Sequence, residues 1–226
     1  MIRWLRAWGF TAVVILLVVA AGVGVWAGYF SHWFALRSIV VSGNTTISRE
    51  EVVRRLDVSA GEPLLRVDLD DQTARVEGIR VVASAQVSRE FPHTLRVQVV
   101  ERAPIAYVER PGGAHLVDKT GVDFSTVPTP PDGLPKLVVA RVAPEDPATK
   151  SALAVLSQLP DELRDQTAEV DAKSEIEVSA TLGDGRVVLF GSSEDVPHKA
   201  QVALTLLSQQ AQTYNVTSPN APVLSN

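Results

Sequence analysis

The sequence predicts an α+β protein in which an N-terminal transmembrane helix is followed by two folded domains. One uncharged apolar segment near the N-terminus is long enough to span a bilayer. The next part of the chain shows strand and helix patterns in the order β-α-α-β-β. Acidic residues outnumber basic ones only after residue 103. These observations predict a cytoplasmic tail (1–10), a transmembrane helix (11–30), a small domain (34–103) and a distal mixed α+β domain with an extended sheet (104–226).

The predicted membrane helix covers twenty residues, from Thr11 to Phe30, with no charged side chain. At about 1.5 Å per residue such a helix is about 30 Å long, which matches the hydrocarbon core of a bilayer. Arg3 and Arg6 precede it without any acidic residue, which predicts a cytoplasmic N-terminus. The alternative is a signal peptide cleaved after 19–21, but the apolar run is longer than a signal-peptide core and continues past that site.

The totals exclude several classes of function. The chain has no cysteine, so it forms no disulfide and offers no thiolate for catalysis or metal binding. Residues 35–103 hold ten arginines and ten acidic residues, whereas residues 104–226 hold nine basic and sixteen acidic ones. This distal excess of negative charge disfavours nucleic acid and anionic lipid as partners of the distal domain.

The first domain is predicted element by element. A β-branched run from Phe34 ends at the turn residues Gly43 and Asn44, which predicts a strand. Ser48 is placed to cap a helix with acidic residues in its first turn. After a break at Gly61–Pro63, a second helix is predicted from Asp70 to about Glu77.

Two strands complete this domain, at 81–87 and 94–100, joined by a turn at 90–93. In the second strand, Leu95, Val97 and Val99 alternate with polar residues and are predicted to face the core.

The distal domain is predicted to contain several strands and two helices. Strands are expected at 104–108, on both sides of a turn within 116–124, and at 134–139. A helix is expected from Pro147 to Leu159, and another from Pro197 to Gln210. Between them, Gly183–Gly185 lies between two apolar runs and predicts a β-hairpin.

At this point the sequence resembles a known family. The small domain resembles a POTRA domain, and the whole chain resembles the FtsQ/DivIB family of bacterial cell-division proteins. The resemblance is carried by a series of landmarks: Phe34, Leu36, Ile39, Val41, Gly43 and Asn44; Gly61, Pro63 and Leu64; and Arg89, Phe91, Pro92, Thr94, Leu95, Val97, Val99, Glu101, Arg102 and Pro104.

The distal part continues the resemblance. The segment Leu116–Gly121 is similar to the family's L-V-D-x-x-G, and Lys199 is similar to a lysine near the start of a helix. The segment Tyr214–Val223 resembles the family's last strand, with Asn215 where an aspartate is more usual. The resemblance implies a non-enzymatic scaffold at the division septum, with FtsB/FtsL-type coiled-coil membrane proteins as partners of this C-terminal region.

The residues themselves give no sign of an enzyme or of a cofactor. The four histidines lie in no zinc-ligand spacing, and the chain contains neither G-x-S-x-G nor S-x-x-K. The acidic clusters at 68–71 and 145–146 are explained as helix N-termini, and the cluster at 161–165 as a solvated stretch. No catalytic, metal-binding or cofactor-binding residue is predicted.

An exposed sheet edge is the predicted site of partner binding, because its unpaired backbone groups can accept another strand. The predicted residues are those of the terminal strand: Tyr214, Asn215, Val216, Thr217 and Ser218. Pro219 and Pro222 are expected to end regular pairing. Tyr214 is either an aromatic anchor for the partner or a core residue of its own domain. Two other functions stay open, a POTRA-bearing export or assembly factor and an anchored cell-wall enzyme.

Overall fold

The computed structural model describes residues 15–23 and 34–225. Residues 15–23 form an exposed helix, α1. The rest of the predicted membrane helix and the predicted cytoplasmic tail lie outside the described residues. Within the described part, no helix has both the length and the apolar character needed to cross a bilayer.

The chain forms two compact units that divide between Glu101 and Arg102. The first unit contains, in order, β1 (Ser38–Ser42), α2 (Arg49–Arg55), a 3-10 turn (Leu64–Arg66), α3 (Leu69–Glu77), β2 (Val82–Glu90) and β3 (Thr94–Glu101). This is the predicted β-α-α-β-β order. β3 lies in the centre of the sheet, parallel to β1 and antiparallel to β2.

The helix caps and the alternating pattern of β3 in the first unit are those that the sequence predicts. The Ser48 side chain accepts a hydrogen bond from the Glu51 amide at the start of α2. The Asp68 carboxylate caps α3 by accepting from the Asp70 and Asp71 amides. Leu95, Val97 and Val99 on β3 are buried in the core of the unit, and Gln98 between them is exposed.

The second unit is built on one nine-stranded sheet, counted over the described residues, in the order β12-β11-β10-β9-β8-β7-β4-β5-β6. Its strands are β4 (Pro104–Arg110), β5 (Gly113–Asp118), β6 (Asp123–Val127), β7 (Lys136–Val139), β8 (Thr167–Ser174), β9 (Glu177–Leu182), β10 (Val187–Gly191), β11 (Thr213–Asn215) and β12 (Val223–Ser225). Its helices are α4 (Pro147–Gln158), α5 (Asp161–Arg164) and α6 (Val196–Leu206).

The helices cover one face of this sheet. One row of residues in register is buried against α4 and α6, namely Leu137, Val170, Ala180, Val188 and Tyr214. The next row lies on the other face and is partly exposed, namely Val138, Asp171, Ser179, Leu189 and Asn215. Because side chains alternate along a strand, the sheet has one buried face and one open face.

Three elements of the second unit were not predicted from the sequence. The cluster at 161–165, expected to be a solvated stretch, begins the short helix α5. No strand was assigned to 167–174, where β8 pairs with both β7 and β9. β12 was not predicted because Pro219 and Pro222 were expected to end the sheet.

Candidate partner-binding edge of the distal sheet

The two edge strands of the distal sheet, over the described residues, are β12 and β6. The edge next to the predicted segment is β12, and not the segment around Tyr214 itself. β11 is an interior strand, since it pairs in parallel with β10 and antiparallel with β12. The expectation that Tyr214–Ser218 forms the edge is therefore wrong. After Ser218 the chain reverses in a turn in which the Ala221 amide donates to the Ser218 carbonyl. Pro222 comes just before β12, so its missing N–H does not interrupt the ladder.

Tyr214 lies in the core of the second unit. Its side chain is 0% exposed. Its hydroxyl donates to the Gln209 carbonyl at 2.7 Å, and the Arg186 guanidinium lies 5.8 Å from the centre of the ring. The ring is therefore unavailable as a surface anchor, and it has the packing role that the sequence left as the alternative.

The other four predicted residues divide between support and surface. Val216 is buried, and its amide donates to the Leu189 carbonyl at 3.0 Å. The Asn215 side-chain oxygen accepts from the Thr217 amide at 3.0 Å, so asparagine supplies the acceptor that an aspartate would offer here. Thr217 and Ser218 are exposed.

Backbone groups of β12 are available for pairing. Within the described residues β12 has a single neighbouring strand. In an antiparallel pair, alternate residues direct both backbone groups to the partner strand. The Val216 amide points to β10, and so do the backbone groups of Tyr214 two residues before it. The backbone groups of Asn215, between them, therefore point to β12, where they form hydrogen bonds with those of its partner Val223. The N–H and C=O of Leu224 consequently point to the open side of β12, away from β11.

One exposed apolar side chain lies at this edge. Val223 is 59% exposed and lies on the open face. A hollow of about 220 Å³ on the same face lies over β8–β10, and its lining includes the charged side chains of Asp171, Lys173 and Glu177. The edge itself thus combines free backbone groups with the exposed side chain of Val223.

The buried charges of the second unit have structural partners. The Asp118 carboxylate accepts from Arg102, Thr120 and Val122. Lys199 is 4% exposed, and its ammonium donates to the Ser192 carbonyl at 2.9 Å, which ties the β10–α6 loop to α6. Burial lowers the pKa of Lys199.

Two histidines of the described part contact a nearby aspartate. His115 contacts Asp123, and His198 contacts Asp195. His93 lies in the turn between β2 and β3, and His32 lies outside the described residues. No group of three or more His, Cys, Asp or Glu side chains in the described ranges is arranged to hold a metal ion.

Sequence reasoning missed β12 because its signal is weak. The strand has three residues, Val-Leu-Ser, and it follows two prolines. Such a run is shorter than the four residues that make a strand recognisable by its pattern. The apolar pair directly after Pro222 is the signal that could have indicated it.

Comparison with known proteins agrees with this architecture. The pattern of the FtsQ-type POTRA domain matches residues 34–102, and the C-terminal domain of cell division protein FtsQ/DivIB matches residues 106–219. Cell division protein FtsQ of Mycobacteroides abscessus is 42% identical over 212 residues, covering 94% of this chain and 68% of that protein. FtsQ of Mycobacterium tuberculosis is 41% identical over 223 residues, covering 99% of this chain and 70% of that protein.

A solved structure of the major extracytoplasmic domain of DivIB from Geobacillus stearothermophilus covers 49% of this chain and 98% of that chain. It has 21% identity and a TM-score of 0.36. The assignment of the family rests on the sequence matches, which extend over both units and agree with the resemblance inferred from the landmark residues. The chain belongs to the FtsQ/DivIB family of cell-division proteins.

Proposed function

We propose that this protein is a non-enzymatic scaffold of the bacterial divisome that links early and late septal proteins through its extracytoplasmic domains. Membership of the FtsQ/DivIB family supports a role in division. The observation that carries the proposal is the edge strand β12 of the distal sheet, which pairs with the strand that contains Tyr214. A scaffold needs such surfaces and no reactive groups.

In this proposal the segment Thr11–Phe30 crosses the cell membrane once. The tail (1–10) is cytoplasmic, and the POTRA domain (34–103) and the distal FtsQ-type domain (104–226) lie outside. The uncharged segment of bilayer length and the arginines before it support this topology.

The proposed mechanism of binding is strand addition at β12. A strand of an FtsB/FtsL-type coiled-coil membrane protein would pair with the outward N–H and C=O of Leu224. Each backbone hydrogen bond contributes about 1 kcal/mol net. Burial of the exposed part of Val223 contributes about 1 kcal/mol more.

The segment Tyr214–Ser218 stays part of the proposed site, with its roles divided. Thr217 and Ser218 would contact the partner directly because they are exposed. Tyr214, Asn215 and Val216 would hold β11, on which β12 is paired.

Site-specific photocrosslinking in growing cells tests the interface. A photoreactive residue replaces Thr217, Val223 or Ser225, one at a time, in the full chain. The control is Lys119, which is exposed after β5, seven strands from β12 and so about 34 Å away at the usual strand spacing. We expect crosslinks to a small coiled-coil membrane protein from the three edge positions and not from Lys119.

Two variants of Leu224 test the pairing itself. Leu224→Ala shortens the side chain and keeps the N–H, whereas Leu224→Pro removes the outward N–H as well. The two variants are compared in a pull-down only if their melting temperatures are equal. We then expect Leu224→Pro to lose the partner and Leu224→Ala to retain it. Equal retention by both folded variants would contradict strand addition. Absence of edge crosslinks together with absence of septal enrichment would contradict the divisome role.

A further inference from the structure

The entry patch is a cluster of side chains at one end of the first unit, made up of Phe34, Arg37, Leu65, Arg66 and Phe91. Phe34 is the first described residue after 24–33, so this end is where the chain enters the unit. The rings of Phe34 and Phe91 meet edge to face, with their centres 5.5 Å apart. This contact places the turn between β2 and β3 next to the entering chain.

Backbone contacts hold the 3-10 turn at the same end. Ala35 forms an isolated bridge with Pro63. The Arg89 guanidinium donates to the carbonyls of Leu64 and Val67, both at 2.6 Å. The entering chain, the β2–β3 turn and the 3-10 turn therefore form one surface.

This surface exposes large apolar side chains. Phe91 is 54% exposed and Leu65 is 39% exposed. Both lie in turns at the surface of the unit. Exposed apolar side chains beside basic ones are the combination by which amphipathic segments enter the headgroup region of a membrane.

The charge of this end is positive. Arg37 and Arg66 are exposed, and Arg96 and Arg89 lie on the flanking strands, against three acidic residues nearby, Glu62, Asp68 and Glu90. Glu90 pairs with Arg96 at 2.7 Å. The rest of residues 35–103 holds six arginines and seven acidic residues. A small excess of positive charge in an otherwise neutral unit thus lies beside the exposed apolar side chains, which complements an anionic lipid surface.

The chain limits how far this surface can lie from a membrane. Phe30 ends the proposed span and Phe34 follows four residues later, a reach of at most about 14 Å for an extended chain. We propose that the entry patch lies against the outer surface of the bilayer, with Phe91 and Leu65 in the headgroup region and Arg37 facing lipid phosphates. This inference rests on the proposed transmembrane anchor.

Fluorescence quenching in vesicles tests the contact. Because the chain has no cysteine, a single cysteine at Leu65 or at Val100 carries an environment-sensitive fluorophore in the otherwise native full chain. The vesicles contain phosphatidylcholine, phosphatidylglycerol and a lipid with a nitroxide on its headgroup. Val100 is a matched control, since it is 59% exposed in the same unit and lies about 23 Å along β3 from His93.

We expect quenching at Leu65 to exceed that at Val100 by at least about threefold, because only the Leu65 end reaches the headgroups. Phe91→Ser should reduce quenching at Leu65, whereas the exposed control Val100→Ser should leave it unchanged. Arg37→Glu should also reduce it, and Arg80→Glu, at the other end of β2, should not.

The experiment distinguishes a wrong assignment of the patch from a wrong assignment of the membrane anchor. Resistance to alkaline extraction reports the anchor independently of the patch. Equal quenching at Leu65 and Val100 in protein that resists extraction would overturn the patch contact and leave the anchor standing. Protein removed by alkaline extraction would overturn both.

Discussion

Gly43 ends β1 in a conformation that side chains rarely adopt. Its φ is +82°, and a Cβ atom built on it would lie 2.0 Å from the Val99 carbonyl oxygen. That oxygen belongs to the central strand of the first unit, so it cannot move without disturbing the sheet. The glycine of the family's G-N landmark is therefore required both by its φ and by the close approach of β3.

We predict that Gly43→Ala destabilises the first unit by more than about 2 kcal/mol, since the left-handed penalty of 1–2 kcal/mol adds to a backbone clash. Gly61→Ala is the matched control, because Gly61 has φ +87° and no atom within 4 Å of the added Cβ. It should cost about 1 kcal/mol. Urea unfolding of the two variants measures the difference, and equal losses would contradict the role of the clash.

Asp118 holds the turn between β5 and β6 with an ionised carboxylate. Its side chain is 5% exposed and lies 2.5 Å from the Arg102 guanidinium. Burial of the carboxyl favours a higher pKa, but hydrogen bonds from Thr120, Arg102 and Val122 outweigh it, so the pKa of Asp118 is below its ordinary value. The L-V-D-x-x-G segment is thus a structural landmark rather than a catalytic one.

The depressed pKa predicts how stability depends on pH. The ionised carboxylate stabilises the fold above its unfolded pKa of about 4, and this contribution is lost as the pH falls through the lower folded pKa. Asp118→Asn should cost about 2 kcal/mol at pH 7, in the range of hydrogen bonds to charged groups. Thermal melts from pH 7 to pH 3 should show a decreasing difference in melting temperature between the unchanged protein and Asp118→Asn. A gap independent of pH would show that the charge is not responsible.

Tyr214 is buried in the core of the second unit, so we expect it to contribute to stability. We expect Tyr214→Ala to lower the free energy of unfolding by about 3–5 kcal/mol, as for other large buried aromatic residues. Tyr214→Phe removes only the hydroxyl that donates to Gln209 and should cost about 1 kcal/mol. Melting temperatures measure both, and a folded Tyr214→Ala variant of normal stability that loses its partner would restore the ring as an anchor.

At the scale of elements, the position of the edge depends on the reversal after Ser218. The terminal strand was predicted at Tyr214–Ser218, and the chain does form β11 there, at Thr213–Asn215. The three-residue strand β12 then pairs with the outer side of β11. β11 is paired on both sides, and the proposed binding surface therefore lies one strand further out, at β12.

Hydrogen exchange can distinguish these two strands. The Tyr214 amide lies between paired strands, whereas the outward amide of Leu224 faces solvent. We expect Leu224 to exchange fast in the free protein and Tyr214 slowly. Addition of the partner should slow exchange at Leu224. Unchanged exchange at Leu224 in a saturated complex would place the interface elsewhere.

β8 shows why some strands are hidden in the sequence. Its buried positions hold Thr167, Val170 and Ala172, of which only Val170 is a large apolar residue. Its other positions include Glu169, Asp171 and Lys173 on the open face of the sheet. A strand of this composition is stable because β7 and β9 pair with both of its sides, and nothing in its own residues indicates that pairing.

For the whole molecule, the proposed topology gives a direct test. The chain has no cysteine, so single cysteines at Ala7 and Asp184 report the two sides of the membrane. We expect a membrane-impermeant maleimide to label Asp184→Cys in cells with a permeabilised envelope and an intact cytoplasmic membrane, and to label Ala7→Cys only after lysis. Labelling of Ala7→Cys before lysis would contradict the cytoplasmic N-terminus.

The sequence by itself determined the family, the α+β class, the β-α-α-β-β order of the first unit and its helix caps. These features depend on contacts between residues near in sequence, such as Ser48 with Glu51, or on the alternation of buried residues along one strand, as in β3. Only the tertiary structure decided which strand is the edge, because strand order depends on pairing between distant segments. It moved the open edge from Tyr214 to Leu224 and placed Phe91 beside the entering chain at Phe34. Both surfaces arise where the fold brings together residues whose spacing in the sequence carries no pattern.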